Sequence, residues 1–587
     1  MLKLLKNLNK RDYIYVFISI GLIVFQVWLE LKMPDYMSNI TQLVQTRGAS
    51  INDILREGSY MLLCAFGSLV SAFIVGYFTS TIAASFSYRT RGKLFRKVED
   101  ISTFEIKKFS PSSLITRTTN DITQIEFLIA MGLTLMIKAP ITAVWAVTKI
   151  LNKNIEWSIL TGVAVLVLLI TIGIIMMIVM PKFKIVQELM DKINMVMREN
   201  LSGIRVVRAF NAEKYQEDKF ENVNNTLTNQ QVFNQKAFNF LSPVMYLVMY
   251  FLTLGIYFIG AILINEANMG DKIVLFGNMI VFSSYAMQVI MSFLMLAMIF
   301  MMLPRASVSA KRINEVLDTP ISVKEGNVTM NNSDIKGCVE FKNVSFKYPD
   351  ADEYVLEDIS FKVNKGETIA FIGSTGSGKS TLINLIPRFY DATSGEILIN
   401  GIDVRDYSFE YLNNIIGYVP QKATLFSGDV LSNVSFGKNI DGKPSNKKIA
   451  DALRVSQASE FVSKLEDGKK SHIAQGGTNI SGGQKQRLSI ARTIARNPEI
   501  YIFDDSFSAL DYKTDSTLRC ELREYTKDAT VMIVAQRIGT ILNADKIVVL
   551  DNGKCVGVGT HNELMKKCKV YKEIALSQVS KEELENV

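Results

Sequence analysis

Up to Pro304 the chain alternates long apolar runs with polar intervals, and after it apolar residues fall into short runs of strand or helix length. A bilayer core takes about 20 apolar residues per helix. Six runs reach that length: 13–31, 60–84, 127–151, 157–180, 240–264 and 273–303. The first follows Lys3, Lys6, Lys10 and Arg11, but its apolar stretch is too long for a signal peptide and no small-residue cleavage site follows. It reads as a retained span.

The polar intervals give the sidedness. Interval 86–125 carries Arg89, Arg91, Lys93, Arg96, Lys97, Lys107, Lys108 and Arg117, and interval 181–239 is similarly basic, with Lys182, Lys184, Arg205 and Arg208. The other connections are poorer in base, with Lys32, Arg47 and Arg56 in the first, Lys153 in the second and Lys272 in the third. The positive-inside rule places the two basic intervals, and both termini, in the cytoplasm. Helical periodicity continues into both intervals, which predicts spans that extend past the membrane and turn back near 109–113 and 210–215. The last span runs on until Thr319-Pro320 breaks it.

Composition then sets boundaries. Hydrophobic residues are 48% of 587, more than one core supports, and the shift at Pro304 divides them between a membrane region and a soluble α/β region. The expected division is 1–318 (membrane domain with helical extensions), 319–337 (linker) and 338–587 (soluble α/β domain). The five cysteines form no C-x-x-C pair and read as reduced thiols. A net charge of +8 reflects membrane topology, so no nucleic-acid partner is implied.

The soluble half carries the chemistry. A β-type run, 368–372, leads into Gly373-Ser374-Thr375-Gly376-Ser377-Gly378-Lys379-Ser380, and a helical pattern starts at Thr381. Strand, glycine loop and helix make a P-loop, in which backbone N–H groups converge on phosphates and the helix start adds positive potential. Lys379 would reach the terminal phosphates and Ser380 would ligate Mg²⁺. Run 500–503 reads as a buried parallel strand presenting Asp504, a second Mg²⁺ partner, at its C-terminal end. Upstream, Ser481-Gly482-Gly483-Gln484 opens another helix.

This P-loop, then Gln421 after an apolar strand, then Ser481 to Gln484, then Asp504 and Ser508-Ala509-Leu510-Asp511, resembles an ATP-binding cassette. With six spans ahead of it, the whole chain resembles an exporter-type ABC half-transporter. The implied fold is a polytopic α-helical membrane domain joined to an α/β P-loop cassette. The implied assembly is a dimer, each ATP lying between one chain's P-loop and the other's Ser481–Gln484 segment. By the same resemblance Tyr348 would stack on adenine, Gln421 would help hold Mg²⁺ and couple nucleotide to the membrane helices, and Asp511 would bridge the two sites.

Two departures fall on one chemical step. The family usually has Glu after the Mg²⁺-binding Asp, and here stands Asp505. It usually has a switch His after the next strand, and here stands Gln536, while the two histidines, His472 and His561, occupy other places. A carboxylate withdrawn by about 1 Å can lower a rate on the order of 10²-fold, and Gln cannot become a cation. A third departure is Ala474-Gln475-Gly476-Gly477, where exporters often carry an acidic and a basic residue. The reading is a slow, degenerate ATP site in a heterodimer whose partner half-transporter holds the competent site. The alternatives are a homodimeric lipid or peptide exporter, an importer on the exporter fold, and a nucleotide-gated channel or regulator.

For the cargo, Met287, Met291, Met295, Met298 and Met302 recur at helical spacing in the sixth span, a pattern that suits many apolar shapes or plain packing. Glu30 and Lys138 are ionisable groups within spans and await a partner or a route to the interface. Hydrophobic or amphipathic compounds are the expected substrates. No extra domain precedes residue 13, which disfavours coupled peptide maturation.

Overall fold

The computed structural model describes residues 2–46, 50–151, 155–330, 335–439 and 442–578. Arg47 and Lys153 lie outside them, as do 331–334 of the expected linker and the final residues of the expected nucleotide-binding domain. The side chain of Lys184 is likewise outside the description. The chain forms two compact units.

The first unit, Met1–Glu99 with Pro111–Asp318, is built from six long helical paths: Lys10–Gln45, Ile51–Asp100, Pro111–Leu151, Ile155–Ser202, Glu213–Glu266 and Met269–Leu317. Each contains one predicted span, and most run well past it. In hydrocarbon every backbone polar group needs an internal partner, and only a continuous helix supplies that from one segment. The third path is composite. Pro111–Thr118 and Asn120–Phe127 lead into a π-helical turn, Leu128–Gly132, and then into Leu133–Leu151.

The predicted turns are resolved more finely than the sequence pattern could manage. Each is a pair of breaks around a short helix, Thr103–Lys107 in one case and Ile204–Ala209 in the other. Gly203 opens the second, and Asn211 closes it in the left-handed region at φ 51°, a conformation Asn tolerates better than most residues.

The core of this unit gathers Ile23, Val27, Val75, Trp157, Leu252, Phe282, Tyr285 and Val289, with the Trp157 and Phe282 rings 5.3 Å apart. Large apolar side chains such as Phe17, Phe73 and Met177 point outward, as lipid-facing positions do. The methionine stripe lies off the buried face: Met291 and Met298 are exposed, and Met287, Met295 and Met302 half-buried.

Glu30 and Lys138 find each other. Lys138 Nζ lies 2.8 Å from Glu30 Oε1, which also accepts from Gln26 Nε2 at 2.9 Å and Ser68 Oγ at 3.2 Å. Asp35 forms a second polar knot, with Lys149 Nζ at 2.9 Å and the Tyr285 hydroxyl at 2.8 Å.

The second unit comprises Asp100–Ser110 and the chain from Thr319 onward. Its strands in chain order are β1 (Val339–Phe346), β2 (Leu356–Val363), β3 (Thr368–Gly373), β4 (Ser394–Ile399), β5 (Ile402–Asp403), β6 (Ile416–Val419), β7 (Gly428–Asp429), β8 (His472–Ile473), β9 (Ile500–Asp504), β10 (Thr530–Val534), β11 (Lys546–Asp551) and β12 (Lys554–Gly559). Ten of them make one sheet, ordered β5-β4-β1-β2-β12-β11-β3-β10-β9-β6. The run β11-β3-β10-β9-β6 is parallel. Strands β9 and β10 are buried at every position, so they read as continuous apolar runs and need cover on both faces. Two apolar clusters supply it, one including Phe503, Leu488 and Ile494, the other Phe371, Leu382 and Ile502. The segment ahead of β1 is held down: Gly326 N donates to Tyr407 O at 3.0 Å and Val328 N to Asp406 O at 2.8 Å.

Cutting the Glu30–Lys138 pair tests its weight. Glu30→Ala leaves a largely buried ammonium without its carboxylate and should cost roughly 2 kcal/mol, read as a lower unfolding temperature in detergent. Glu30→Gln with Lys138→Met should recover most of that loss. Equal losses in the single and double variants would show that the pair itself contributes nothing.

Candidate functional site

The parallel order β3-β10-β9-β6 brings four C-terminal strand ends side by side. Val534 of β10 pairs with Phe371 of β3 and Asp504 of β9, and Val419 of β6 with Phe503. The P-loop follows β3, Asp504 ends β9 with Asp505 next to it, Gln536 follows β10 and Gln421 follows β6. Sheet topology thus converts four motifs scattered over the sequence into one cluster.

The P-loop turns tightly because its glycines permit it. Gly376 and Gly378 sit at φ 86° and 94°, and a Cβ on Gly378 would lie 2.7 Å from Leu356 and 3.1 Å from Val355 O. Ser374, Thr375, Gly376 and Ser380 are exposed, whereas Ser377 is buried. Lys379 Nζ folds back on the loop, donating to Gly373 O at 2.8 Å, Ser374 O at 2.7 Å and Ser377 Oγ at 3.3 Å. Burial pulls the Lys379 ammonium below the ordinary lysine value, opposed by the charges of Asp505 and Asp504. Thr381 lies 3.1 Å from the Tyr348 hydroxyl.

Asp504 is 5% exposed and accepts from Ser380 Oγ at 3.0 Å. Burial pushes its carboxyl above the ordinary range, offset in part by the Ser380 hydrogen bond. Tyr418, which the motif reading passed over, donates to Asn384 Oδ1 at 3.1 Å and lies 3.4 Å from Asp504 Oδ2. Its signal was its place on β6, one strand away from Asp504.

Asp505 is 8% exposed and left-handed at φ 46°, pinned by its N–H to Val534 O at 3.0 Å. Its Oδ2 accepts from Gln536 Nε2 at 2.7 Å and from Gln421 Nε2 at 3.2 Å. The two residues that depart from the family pattern are therefore hydrogen-bonded to each other.

The Ser481–Gln484 segment caps its helix, Gly482–Arg496. Gln484 N donates to Ser481 Oγ at 3.3 Å while Gln484 Oε1 accepts from Ser481 N at 2.9 Å, a reciprocal capping box. A Cβ on Gly483 would stand 3.2 Å from Ala509 O. Asp511 caps the next helix, Tyr512–Tyr525, accepting from Thr514 N at 3.0 Å. Neither segment joins the cluster at the strand ends. Gly476, in the third departure, donates to Leu425 O at 3.1 Å, which ties that loop to the chain just after Gln421.

Tyr348 packs edge-on against Phe346 and Tyr390. Lys107, from the short helix Thr103–Lys107, stands over both tyrosine rings at 5.7 and 5.6 Å. Hydropathy had counted Lys107 only as one more basic residue, and nothing in its local sequence marks this contact.

The histidines stand elsewhere. His472 is exposed on β8, and His561 is buried with Nδ1 2.7 Å from the Tyr571 hydroxyl.

The comparisons with known proteins decide the family. The description "ABC transporter transmembrane region" matches residues 16–303, and "ABC transporter" matches 356–508. An uncharacterized ABC transporter ATP-binding protein of Mycobacterium tuberculosis is 40% identical over 92% of this chain and 93% of its own. The chain belongs to the ABC transporter family. Further relatives of this transporter are an ATP-dependent lipid A-core flippase of Pseudomonas fluorescens, 31% identical over 86% of this chain and 82% of its own, and a putative multidrug export ATP-binding/permease protein of Bacillus subtilis, 29% identical over 96% of each. A solved bacterial Atm1-family ABC exporter with ATP bound shares the fold at TM-score 0.80, with 22% identity over 96% of this chain and 98% of that one. This ABC transporter is thus a multi-pass membrane half-transporter of the exporter type, with an ATP-binding domain that acts as an ATPase coupled to transport.

His561 gives a pH test of the cassette. Burial holds its imidazole below the ordinary value near 6.5, so the folded state keeps it neutral where the unfolded chain protonates it. That stability is complete above about pH 6.5 and is lost as the pH falls through the folded-state value. In thermal unfolding, His561→Phe should cost about 1 kcal/mol at pH 8 for the lost Tyr571 bond and flatten the acid-side decline. An unchanged acid slope would assign the decline to other groups.

Proposed function

We propose that this half-transporter is the degenerate-site subunit of a heterodimeric exporter of hydrophobic or amphipathic compounds. The observation that carries the proposal is the hydrogen bonding of Asp505. In the competent arrangement a carboxylate at this position orients the attacking water, and phosphoryl transfer depends chiefly on such positioning. Here the carboxylate is one methylene shorter and one of its oxygens is taken by two amide donors, Gln536 and Gln421. That combination retains nucleotide and slows its hydrolysis.

The residue roles follow. Ser374 to Thr381 would hold the phosphates, Lys379 exchanging its loop carbonyls for phosphate oxygens, and Tyr348 would stack on adenine. Ser481, Gly482, Gly483 and Gln484 would complete the partner's site, with Asp511 bridging to it. Mg²⁺ fits the donors present, since Ser380 Oγ and the Asp504 carboxylate, both hard oxygens, already converge at 3.0 Å. Gln421 would add its amide oxygen. The ion, when bound, neutralises charge on the phosphates. Residues 1–318 would form the membrane domain, 319–337 the linker and 338–587 the cassette, with both termini in the cytoplasm. The lipid A-core flippase and the multidrug export protein among the relatives support an amphipathic or hydrophobic cargo.

The purified complex tests this. Asp505→Glu with Gln536→His should raise its ATP turnover by up to about twofold, since a second working site joins the partner's, while this chain purified alone should turn over ATP far more slowly than the complex. Equal rates for the lone chain and the complex would mean a homodimer with working sites and would sink the proposal.

A further inference from the structure

A cavity of about 720 Å³ opens among the last four helical paths of the first unit, within the size range of small-molecule sites. Its apolar lining includes Phe127, Phe183, Phe238 and Met302, with the Phe183 and Phe238 rings 6.0 Å apart. Arg305 also lines it, its guanidinium 5.8 Å from the centre of the Phe183 ring, and among the described residues no carboxylate pairs with it. Among the described residues no acidic side chain lines it. Asn234, only 6% exposed, lines the same cavity and has an amide oxygen without a hydrogen-bond partner. The third helical path carries its π-helical turn here, Leu128–Gly132, a feature often found beside functional sites.

The depth of these residues is informative. Phe127 begins the third predicted span, Phe183 follows the end of the fourth, Phe238 precedes the fifth and Met302 closes the sixth. All lie at one membrane boundary, which the charge pattern makes the cytoplasmic one. A cationic ligand would meet Arg305 as a like charge, and a wholly apolar one would leave both Arg305 and the Asn234 oxygen without partners.

We propose that this cavity binds an anionic amphiphile from the cytoplasmic leaflet, with its oxyanion on Arg305, a head-group hydroxyl donating to Asn234 Oδ1, and its apolar body among Phe127, Phe183, Phe238 and Met302. This rests on the exporter reading and narrows its substrate class.

Photo-crosslinking of the complex in zwitterionic nanodiscs, without ATP, tests it. The probes are diazirine-tagged lysophosphatidic acid and lysophosphatidylcholine, which share tail and hydroxyl and differ in head charge. Peptides containing Phe127 and Phe238 should be labelled about tenfold more by the anionic probe. Arg305→Gln should abolish that preference and Arg305→Lys should keep part of it, while Asn234→Leu should weaken labelling by both probes. Excess glycerol phosphate, the head group without a tail, should not compete. Equal labelling by the two probes, a preference that survives Arg305→Gln, or displacement by glycerol phosphate would each overturn the proposal. Because crosslinking is read without ATP, an idle ATPase would count against the exporter reading alone.

Discussion

Everything chemical in the second unit depends on the register of four parallel strands. Strands β3, β10, β9 and β6 end near one level because their backbone hydrogen bonds align Phe371 and Val534 with Asp504, and Val419 with the adjacent Phe503. A slip of one residue would turn each buried side chain to the opposite face. The close-packed clusters on both faces oppose it, since each slipped side chain would enter a space shaped for another. The phosphate loop, the paired aspartates and the two glutamines therefore meet as a result of hydrophobic packing, with little help from their own polar contacts.

The first unit obeys a different solvent. Between lipid and helix there is little hydrophobic gain, so the apolar faces that look outward carry no folding information beyond length and hydropathy. Specific pairing comes from the polar knots at Glu30 and Asp35 and from the packing of Trp157 against Phe282. These join helices far apart in sequence, and a change in one residue of a knot leaves its partner without a counter-charge.

The six spans and the P-loop were legible because each rests on a local physical rule, about 20 apolar residues to cross a bilayer and glycines where backbone meets phosphate. The short helices Thr103–Lys107 and Ile204–Ala209 were not, because five or six residues hold too little of a helical period to register. Asp505 and Gln536 were each recognised as departures, yet their hydrogen bond was not foreseen. They lie 31 residues apart, and only the adjacency of β9 and β10 brings them together. Lys107 over Tyr348 was harder still, since it joins a loop between membrane helices to a residue more than 200 positions later.

The bonds from Lys379 to its own loop bear on how fast nucleotide is captured. With Gly373 O, Ser374 O and Ser377 Oγ all held by one ammonium, the loop keeps its curvature before any phosphate arrives. Little ordering entropy then remains to be lost at encounter. The ammonium must still let go of its neutral carbonyls, and the charged phosphate oxygens that replace them are the stronger partners. Such a loop is primed for rapid association, and the lifetime of the bound state is left to contacts formed afterwards.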